Sequence, residues 1–322
     1  MSSRSGSPNS LSFTVVDVFT EARYTGNPLA IVLLPPSAEL APSQAQLQSI
    51  ASEFNLSETV FLEHATSEDI EMGARRARIF TTTREILFAG HPTIGAATYL
   101  LIHNASQHGL RKLVPGAGPI AISPVYSKPG YICAIIPHTY HHHAARCSAP
   151  KLLALHSTLT SIITPDQTFP IVSIVQGMTW VLVEFQSLQS LAAAELGNAS
   201  ANILANSGIL DKGWEYAAPI GVYFYVRNAE VEEDGVEVIR TRMLIRGLED
   251  PATGSAASAL TGYVALKEAG KKGVKRTWKV VQGVEMGRRS EIGVKVELKV
   301  DAVDTIELSG TAVVISDGKI QL

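Results

Sequence analysis

Three polar side chains in this sequence stand where a protein could use them for proton transfer. Glu58 lies in the segment Asn-Leu-Ser-Glu-Thr, between a helical pattern and a short apolar run. His91 follows Gly90 in Ala-Gly-His-Pro-Thr, and Asp250 precedes Pro251 in Asp-Pro-Ala-Thr-Gly. Carboxylates and imidazoles are the usual general acids and bases of enzymes, and loop ends often carry them. The three residues therefore suggest acid–base chemistry.

Each of these residues also has an ordinary structural explanation. Glu58 could be a solvated glutamate or a capping partner of Ser57. His91 could cap the helix that follows it. Asp250 could be the N-cap of a helix that has Pro251 at its first position, which is a common pairing. Taken one at a time, the residues leave both interpretations open.

Two stretches that open helices of small residues resemble each other. One is Ala-Gly-His-Pro-Thr-Ile-Gly-Ala-Ala at 89–97, and the other is Asp-Pro-Ala-Thr-Gly-Ser-Ala-Ala at 250–257. His91 and Asp250 are 159 residues apart (250 − 91), about half of the 322-residue chain. A duplicated half-domain would explain this spacing, and so would chance. Helix starts present N–H groups and the positive end of the helix dipole, so two of them facing one cleft would hold a carboxylate.

Short apolar runs dominate the chain and predict many strands. Helices are predicted at about 43–54, 92–103, 152–159, 188–204 and 254–268, the last ending at Gly270. Strands are predicted at 13–19, 29–34, 59–62, 76–82, 86–88, 120–123, 131–136, 171–175, 180–185, 221–227, 236–245, 278–282, 293–300, 305–308 and 312–315. Since strands and helices do not alternate strictly, the predicted fold class is α+β rather than a doubly wound sheet.

Composition limits the class of protein. The 322 residues are 46% hydrophobic and 18% charged, which is typical of a globular chain of about two domains. A net charge of −3 provides no basic field for nucleic acid. The serine-rich residues 1–10 lack the apolar core of a secretory signal, and no apolar run reaches the ~20 residues of a membrane helix. We therefore expect a disordered tail at 1–10, a cytoplasmic location, and no nucleic-acid or membrane partner.

Histidines and cysteines give no sign of a metal centre. His138 is followed by three consecutive histidines at 141–143, but no carboxylate or cysteine stands nearby at ligand spacing, so the cluster is interpreted as a polar surface loop. Cys133 alternates with apolar neighbours and is predicted to be buried, whereas Cys147 is predicted to lie in a loop. Walker A and Gly-x-Gly-x-x-Gly motifs are absent, so no cofactor is expected.

The chain resembles the phenazine-biosynthesis PhzF-like family, within the diaminopimelate-epimerase-like superfamily. The matching segments, in family order, are VDVFTEARYTGNPLAIVLL (16–34), NLSETVFL (55–62), EILFAGHPTIGAA (85–97), EDPATGSAASAL (249–260), QGVEMGRRS (282–290) and SGTAVVISDGKI (309–320). The combination of AGHPT with EDPATGSA is specific to this family. Thr82 and Arg289 depart from the family pattern, which usually has proline at both places.

The resemblance implies a fold of two pseudo-symmetric halves. Each half would be a curved, mostly antiparallel sheet around a central helix, with the active site in the cleft between the halves. The N-terminal half would comprise residues 11–125 and 308–322, and the C-terminal half residues 126–307. The resemblance also implies a cofactor-independent isomerase of a biosynthetic process, acting on a small carboxylate-bearing substrate and possibly forming a homodimer.

The resemblance further implies roles for individual residues. Racemases of the superfamily carry two catalytic cysteines at the two helix starts, where this chain has His91 and Asp250, so the isomerase branch is implied. Glu58 would be the proton shuttle, with His91 and Asp250 as further catalytic residues. The implied substrate-binding residues are Gly90, Pro92, Thr93, Thr253, Gly254 and Ser255. A binding protein that kept this fold without catalysis is the alternative function, and the missing cysteines disfavour an epimerase.

Overall fold

The computed structural model describes residues 10–36, 41–104, 109–197, 208–215, 220–230, 235–245, 247–268 and 275–322. Within these ranges the strands outnumber the helices and pair mostly antiparallel, with a few parallel pairs. The chain divides into two compact units, a first unit of Met1–Ile135 with Ser309–Leu322 and a second unit of Ile136–Leu308. The predicted α+β class is confirmed, whereas the pseudo-symmetry of the halves stays a prediction.

The secondary structure elements are numbered in chain order. The helices are α1 (Gln44–Phe54), α2 (Ser67–Met72), α3 (Gly90–Thr98), α4 (Ala149–Leu155), α5 (Leu188–Ala192) and α6 (Gly254–Glu268). The strands are β1 (Ser10–Val18), β2 (Asn27–Leu33), β3 (Thr59–Leu62), β4 (Ala74–Phe80), β5 (Glu85–Ile86), β6 (Lys112–Val114), β7 (Ile120–Pro124), β8 (Ile132–Ile135), β9 (His141–Ser148), β10 (Thr168–Val175), β11 (Met178–Glu184), β12 (Ile220–Val226), β13 (Glu237–Ile245), β14 (Leu248–Asp250), β15 (Lys275–Gln282), β16 (Ser290–Lys299), β17 (Ala302–Gly310) and β18 (Ala312–Gln321).

In the first unit the end of the chain pairs with its beginning. Strand β18 runs antiparallel to β1, with Gln321 opposite Ser10 and Ala312 opposite Val18. Strand β1 also pairs antiparallel with β2, which pairs parallel with β3, and β3 continues antiparallel to β4. Helix α1 lies between β2 and β3 in the sequence, as a parallel strand pair requires a crossover connection.

Helix α3 is buried along its whole length in the first unit. All nine of its residues are buried, and it packs against β1, β2, β3, β8 and β18. Close packing depends on Gly95, because a Cβ there would lie 2.5 Å from Leu29 Cδ2 and 2.7 Å from Val18 Cγ2. The helix starts two residues before the predicted Pro92, since proline is tolerated in a first turn whose N–H groups have no partner within the helix. A π-helix over Tyr99–His103 continues it to the predicted end.

Helix α6 is the buried helix of the second unit. Its bounds, Gly254–Glu268, confirm the predicted span of 254–268, while the predicted end at Gly270 lies outside the described residues. Ten of its fifteen residues are buried, and it packs against β10, β11, β15 and β16. The small residues along the helix allow strands to approach it closely. For example, a Cβ on Gly262 would lie 2.5 Å from a ring carbon of Tyr140.

The predicted helix at 188–204 is wrong in its length. Helix α5 ends at Ala192, residues 193–197 are not helical, and residues 198–204 lie outside the described residues. The guanidinium of Arg242, on strand β13, donates hydrogen bonds to the carbonyls of Leu191 (3.2 Å) and Ala192 (3.1 Å). These carbonyls therefore have a partner from a distant strand at the point where the helix stops.

The predicted polar loop at the histidine cluster is also wrong. Residues His141–Ser148 form strand β9, which pairs antiparallel with β10. Side chains at His143 and Cys147 are buried, and the polar character of the histidines concealed this strand pattern. Cys147 is therefore a core residue, and burial raises the pKa of its thiol to about 11. Cys133, predicted to be buried, is half-buried on β8.

The substitution Gly95→Ala tests the close packing of α3. The added methyl group would overlap two fully buried side chains, which costs about 1–3 kcal/mol, against about 1 kcal/mol gained in helix propensity. We expect a lower urea midpoint with an unchanged slope. Ser49→Ala, on the exposed face of α1, is the control and should shift stability by less than about 0.5 kcal/mol. A Gly95→Ala variant as stable as the wild type would contradict this packing.

Candidate active site

The backbone around Glu58 is fixed on both sides. Helix α1 ends at Phe54, and Asn55 adopts the left-handed conformation (φ 51°, ψ 32°), with its N–H donating to the carbonyl of Ser52 at 3.1 Å. Asparagine tolerates this conformation better than most residues. Strand β3 begins immediately after Glu58, at Thr59. The carboxyl therefore projects from a short, well-anchored connection between a helix and a strand.

Glu58 and His91 are close together in the first unit. Glu58 Oε2 lies 3.6 Å from His91 Nδ1, and the two side chains are only 19% and 5% exposed. A solvated surface glutamate would not be enclosed to this degree, so that explanation of Glu58 is wrong. The Ser57 side chain does hydrogen-bond to Glu58, as the capping alternative expected. The structure thus brings together two of the three residues predicted to be catalytic.

The environment of Glu58 changes its proton affinity. Burial raises the pKa of Glu58 above its ordinary value of 4.5, and the hydrogen bond with Ser57 opposes this shift to a smaller extent. Removing water from a carboxylate destabilises the charged form, so the group holds a proton more tightly. A carboxyl with a raised pKa is a stronger base at neutral pH than an ordinary surface glutamate.

His91 belongs to the first turn of α3 and does not cap it. The N-cap is Ala89, in extended conformation (φ −152°, ψ 144°) and without a side-chain capping bond. The helix begins at Gly90, so His91 is its second residue and its ring faces the carboxyl of Glu58. The capping explanation of His91 is therefore wrong.

Asp250 lies at the end of strand β14 in the second unit. Helix α6 begins four residues later, at Gly254, so Asp250 is not its N-cap and Pro251 is not its first residue. The hydroxyl of Thr253 donates to Asp250 Oδ2 at 2.6 Å. This bond closes a short turn between the strand and the helix, and the turn fixes the carboxylate.

Gln282 is a buried residue for which no role was predicted from the sequence. Its Nε2 donates to the carbonyl of Asp250 (2.7 Å) and to Thr253 Oγ1 (2.9 Å). Its Oε1 accepts from the N–H of Thr253 (3.3 Å) and from the hydroxyl of Tyr223 (2.8 Å). One side chain thus holds the turn that carries Asp250. The sequence contains one sign of this role. Gln282 is a polar residue at the end of the apolar run 278–282, and it begins the segment 282–290 that resembles the family.

The predicted substrate-binding residues lie at the first turns of α3 and α6. Of these, the buried residues are Gly90, Pro92, Thr93, Thr253 and Gly254, and Ser255 is half-buried. The hydroxyl of Thr93 donates at 2.8 Å to the carbonyl of Ala89, the N-cap residue of its own helix. Substrate contact by these residues stays a prediction.

A cluster with metal-ligating residue types lies in the second unit. One ligand atom each from His141, His143 and Asp211 falls within 4.8 Å of the others. Burial, and secondarily the neighbouring His141, lower the pKa of His143 to about 4, so its ring is neutral at pH 7. The sequence predicted no metal here because Asp211 lies 70 residues after His141. The cluster contains none of the residues assigned to proton transfer.

Among the described residues, no helix combines the length and the hydropathy needed to cross a lipid bilayer. The cytoplasmic location and the homodimer stay predictions.

Comparison with known proteins identifies the family. Residues 16–318 match the family described as phenazine biosynthesis-like protein, and the chain belongs to this PhzC-PhzF family. It is 31% identical to an uncharacterized isomerase of Mesorhizobium japonicum, over 96% of this chain and 98% of that protein. It is 28% identical to the trans-2,3-dihydro-3-hydroxyanthranilate isomerase of Pseudomonas fluorescens, over 96% of this chain and 99% of that protein.

Solved structures show the same fold. A phenazine biosynthesis protein of the PhzF family from Bacillus anthracis has a TM-score of 0.72 at 20% identity, covering 98% of this chain and 100% of its own. A hydroxyproline epimerase from Agrobacterium vitis has a TM-score of 0.58 at 13% identity, covering 98% and 93%. The resemblance read from the sequence is confirmed, and the chain is an isomerase of the PhzF-like family.

The substitution Glu58→Gln tests the environment of the carboxyl through stability. Because the pKa of Glu58 is raised on folding, the native state binds the proton more tightly than the unfolded chain, and ionisation of Glu58 costs stability as pH rises past 4.5. The variant should match the wild type at about pH 4 and exceed its melting temperature at about pH 8. Glu53→Gln, on the exposed face of α1, should show no such gain. A difference that shrinks with rising pH would contradict the assigned burial.

Proposed function

We propose that this isomerase moves a proton on a small carboxylate-bearing substrate without a cofactor, with Glu58 as both base and acid. The observation that carries the proposal is the enclosed pair of Glu58 and His91, with Oε2 and Nδ1 3.6 Å apart at the start of a fully buried helix. Enclosed carboxyls with raised pKa values are typical of groups that exchange protons with a substrate. An exposed ion pair on the protein surface would lack this enclosure.

The proposed reaction is a transfer of one proton between two carbons. The Glu58 carboxylate removes a proton from one carbon, and the C–H electron pair moves into the unsaturated system of the substrate. The resulting carboxylic acid can exchange its proton with solvent and then donates a proton to a second carbon, which restores the carboxylate. The raised pKa assists both steps, since the group must accept and release a proton near neutral pH.

The first turn of α3 supports the charge that develops in this reaction. The N–H groups of a helix start, together with its dipole, stabilise a carboxylate or an enolate-type anion. The relative from Pseudomonas fluorescens is named for an anthranilate, which is a carboxylate. A substrate of the same chemical class would place its negative group at this helix start.

His91 is proposed to hold the Glu58 carboxyl in its reactive orientation. Its ring is almost fully enclosed and its position is set by the first turn of α3, so it can fix a neighbouring group with little loss of entropy. Asp250 is proposed to act in the same reaction by binding the substrate. Its turn, held by Thr253 and Gln282, provides the required rigidity.

Turnover in deuterated water tests the role of Glu58. The assay would use trans-2,3-dihydro-3-hydroxyanthranilate and a set of unsaturated and amino carboxylic acids, with solvent deuterium at carbon as the readout. For an accepted substrate, Glu58→Gln should lower kcat by ~10²–10⁴, the usual contribution of general acid–base catalysis, with little change in affinity. Full activity in this variant would contradict the proposed role of Glu58. Binding without deuterium exchange in the wild type would favour the non-catalytic alternative.

Variants of the other two residues should behave differently from Glu58→Gln. His91→Asn and Asp250→Asn should weaken substrate binding as well as turnover, because both residues are proposed to position groups. If Asp250 serves the same step as Glu58, the loss in the double variant Glu58→Gln/Asp250→Asn should be smaller than the product of the single losses. Asp166→Asn, at an exposed position, is the control and should leave both constants unchanged. Strictly multiplicative losses would argue against a shared step.

A further inference from the structure

The histidine cluster of the second unit has a geometry that its sequence did not suggest. His141 Nε2 lies 2.8 Å from Asp211 Oδ2, and His143 Nδ1 lies 3.8 Å from the same oxygen. Two imidazole nitrogens on alternate residues of β9 therefore converge on one carboxylate from the segment at 208–215. Alternate residues of a strand face the same side, which explains why His142 does not take part.

Neighbouring side chains hold the rings of both His141 and His143 in place. His143 Nε2 lies 2.9 Å from Ser173 Oγ, and Ser173 Oγ lies 2.6 Å from Thr179 Oγ1, all of them buried. The ring of His141 stacks on Trp214, with centroids 4.6 Å apart and planes within 10°. Metal-binding histidines are usually oriented by such a partner on the nitrogen that does not bind the ion.

The carboxylate of Asp211 is anchored as well. The N–H of Ala144 donates to its two oxygens, at 3.1 and 3.3 Å. The backbone N–H of Asp211 donates to His143 Nδ1 at 3.1 Å, so the lone pair of that nitrogen faces the cluster and its proton resides on Nε2. A metal ion would take this lone pair in place of the amide N–H.

A hydrolase-type triad does not explain the arrangement. Ser173, His143 and Asp211 have the right residue types, but Ser173 is fully buried and out of reach of any substrate. In addition, His143 Nδ1 accepts an N–H, whereas in such a triad it would donate to the carboxylate. The serine is therefore a support for the ring and not a nucleophile.

We propose that His141, His143 and Asp211 form a binding site for one divalent transition-metal ion of the Zn²⁺ type. Two imidazoles and one carboxylate suit Zn²⁺ or Co²⁺, whereas Mg²⁺ and Ca²⁺ prefer oxygen ligands alone. The side chains of His141 and Asp211 are 32% and 30% exposed, which allows an ion to enter and keep a water ligand. The bound ion would tie strand β9 to the segment at 208–215.

Metal titration of the tag-free full-length protein tests this site. Calorimetry with Zn²⁺ should give one site per chain, and Co²⁺ should give the visible absorption of a nitrogen- and oxygen-ligated ion. Co²⁺ should also quench the emission of Trp214, which stacks on His141. His141→Asn and Asp211→Asn should each weaken Zn²⁺ binding by at least ~10-fold, since each removes one of three ligands.

Matched variants separate a built site from accidental histidine binding. His142→Asn lies on the same strand, but its ring contacts Tyr263 (5.3 Å between ring centroids), so it should leave the affinity unchanged. Trp214→Phe should lose the quenching and keep the binding. Zn²⁺ should raise the melting temperature of the wild type but not that of His141→Asn. The melting transition of His141→Asn without metal also shows whether this variant is folded.

Three results would overturn the proposal. One is the absence of one-to-one binding in the wild type, which would leave the cluster as a hydrogen-bonded tie only. Another is equal loss of affinity in His142→Asn and His141→Asn. A third is unchanged affinity in both His141→Asn and Asp211→Asn when the circular dichroism of each variant shows it to be folded.

Discussion

The complete burial of helix α3 is the constraint on which the candidate site of the first unit depends. A helix enclosed by strands carries mostly small or apolar residues, and Gly95 shows how closely β1 and β2 approach it. Two of its three polar residues, His91 and Thr93, stand in its first turn, and the hydroxyl of Thr98 donates to the carbonyl of Ile94 within the helix. His91 lies beside Glu58, and burial of this carboxyl raises its pKa.

Much of the fold could be predicted because glycine, proline and apolar periodicity mark element boundaries locally. Strand β3, which is an apolar run after Thr59, and helix α6, which follows Pro251 and begins at Gly254, have the predicted bounds. The failures have long-range causes. Helix α5 ends where Arg242, about 50 residues later, donates to its last carbonyls. Strand β9 was missed because one of its two buried positions is a histidine, His143.

The candidate site was predictable only in part, and for a similar reason. The types of Glu58 and His91 are visible in the sequence, but their closeness depends on how α3 lies beside the start of β3. The hydrogen bonds of Gln282 could not be predicted locally, because they join it to a turn about 30 residues earlier and to Tyr223 on β12. In the same way, the histidine cluster lacked a carboxylate until the fold brought Asp211 to it.

The two groups of ionisable residues differ in how the protein compensates for their burial. In the histidine cluster both ring nitrogens of His143 have a hydrogen-bond partner, so the network can stabilise the fold whether or not an ion binds. Glu58 has lost most of its water and gained one neighbouring hydroxyl, which leaves a net cost to its charged form. Proteins seldom retain a buried ionisable group whose charged form is destabilised unless the group has a function. A structural role predicts that replacing Glu58 weakens the fold, whereas a role in proton transfer predicts that the neutral isostere keeps the fold and loses the reaction. Stability and turnover therefore move in opposite directions only in the second case, and this makes the burial of Glu58 an argument for function.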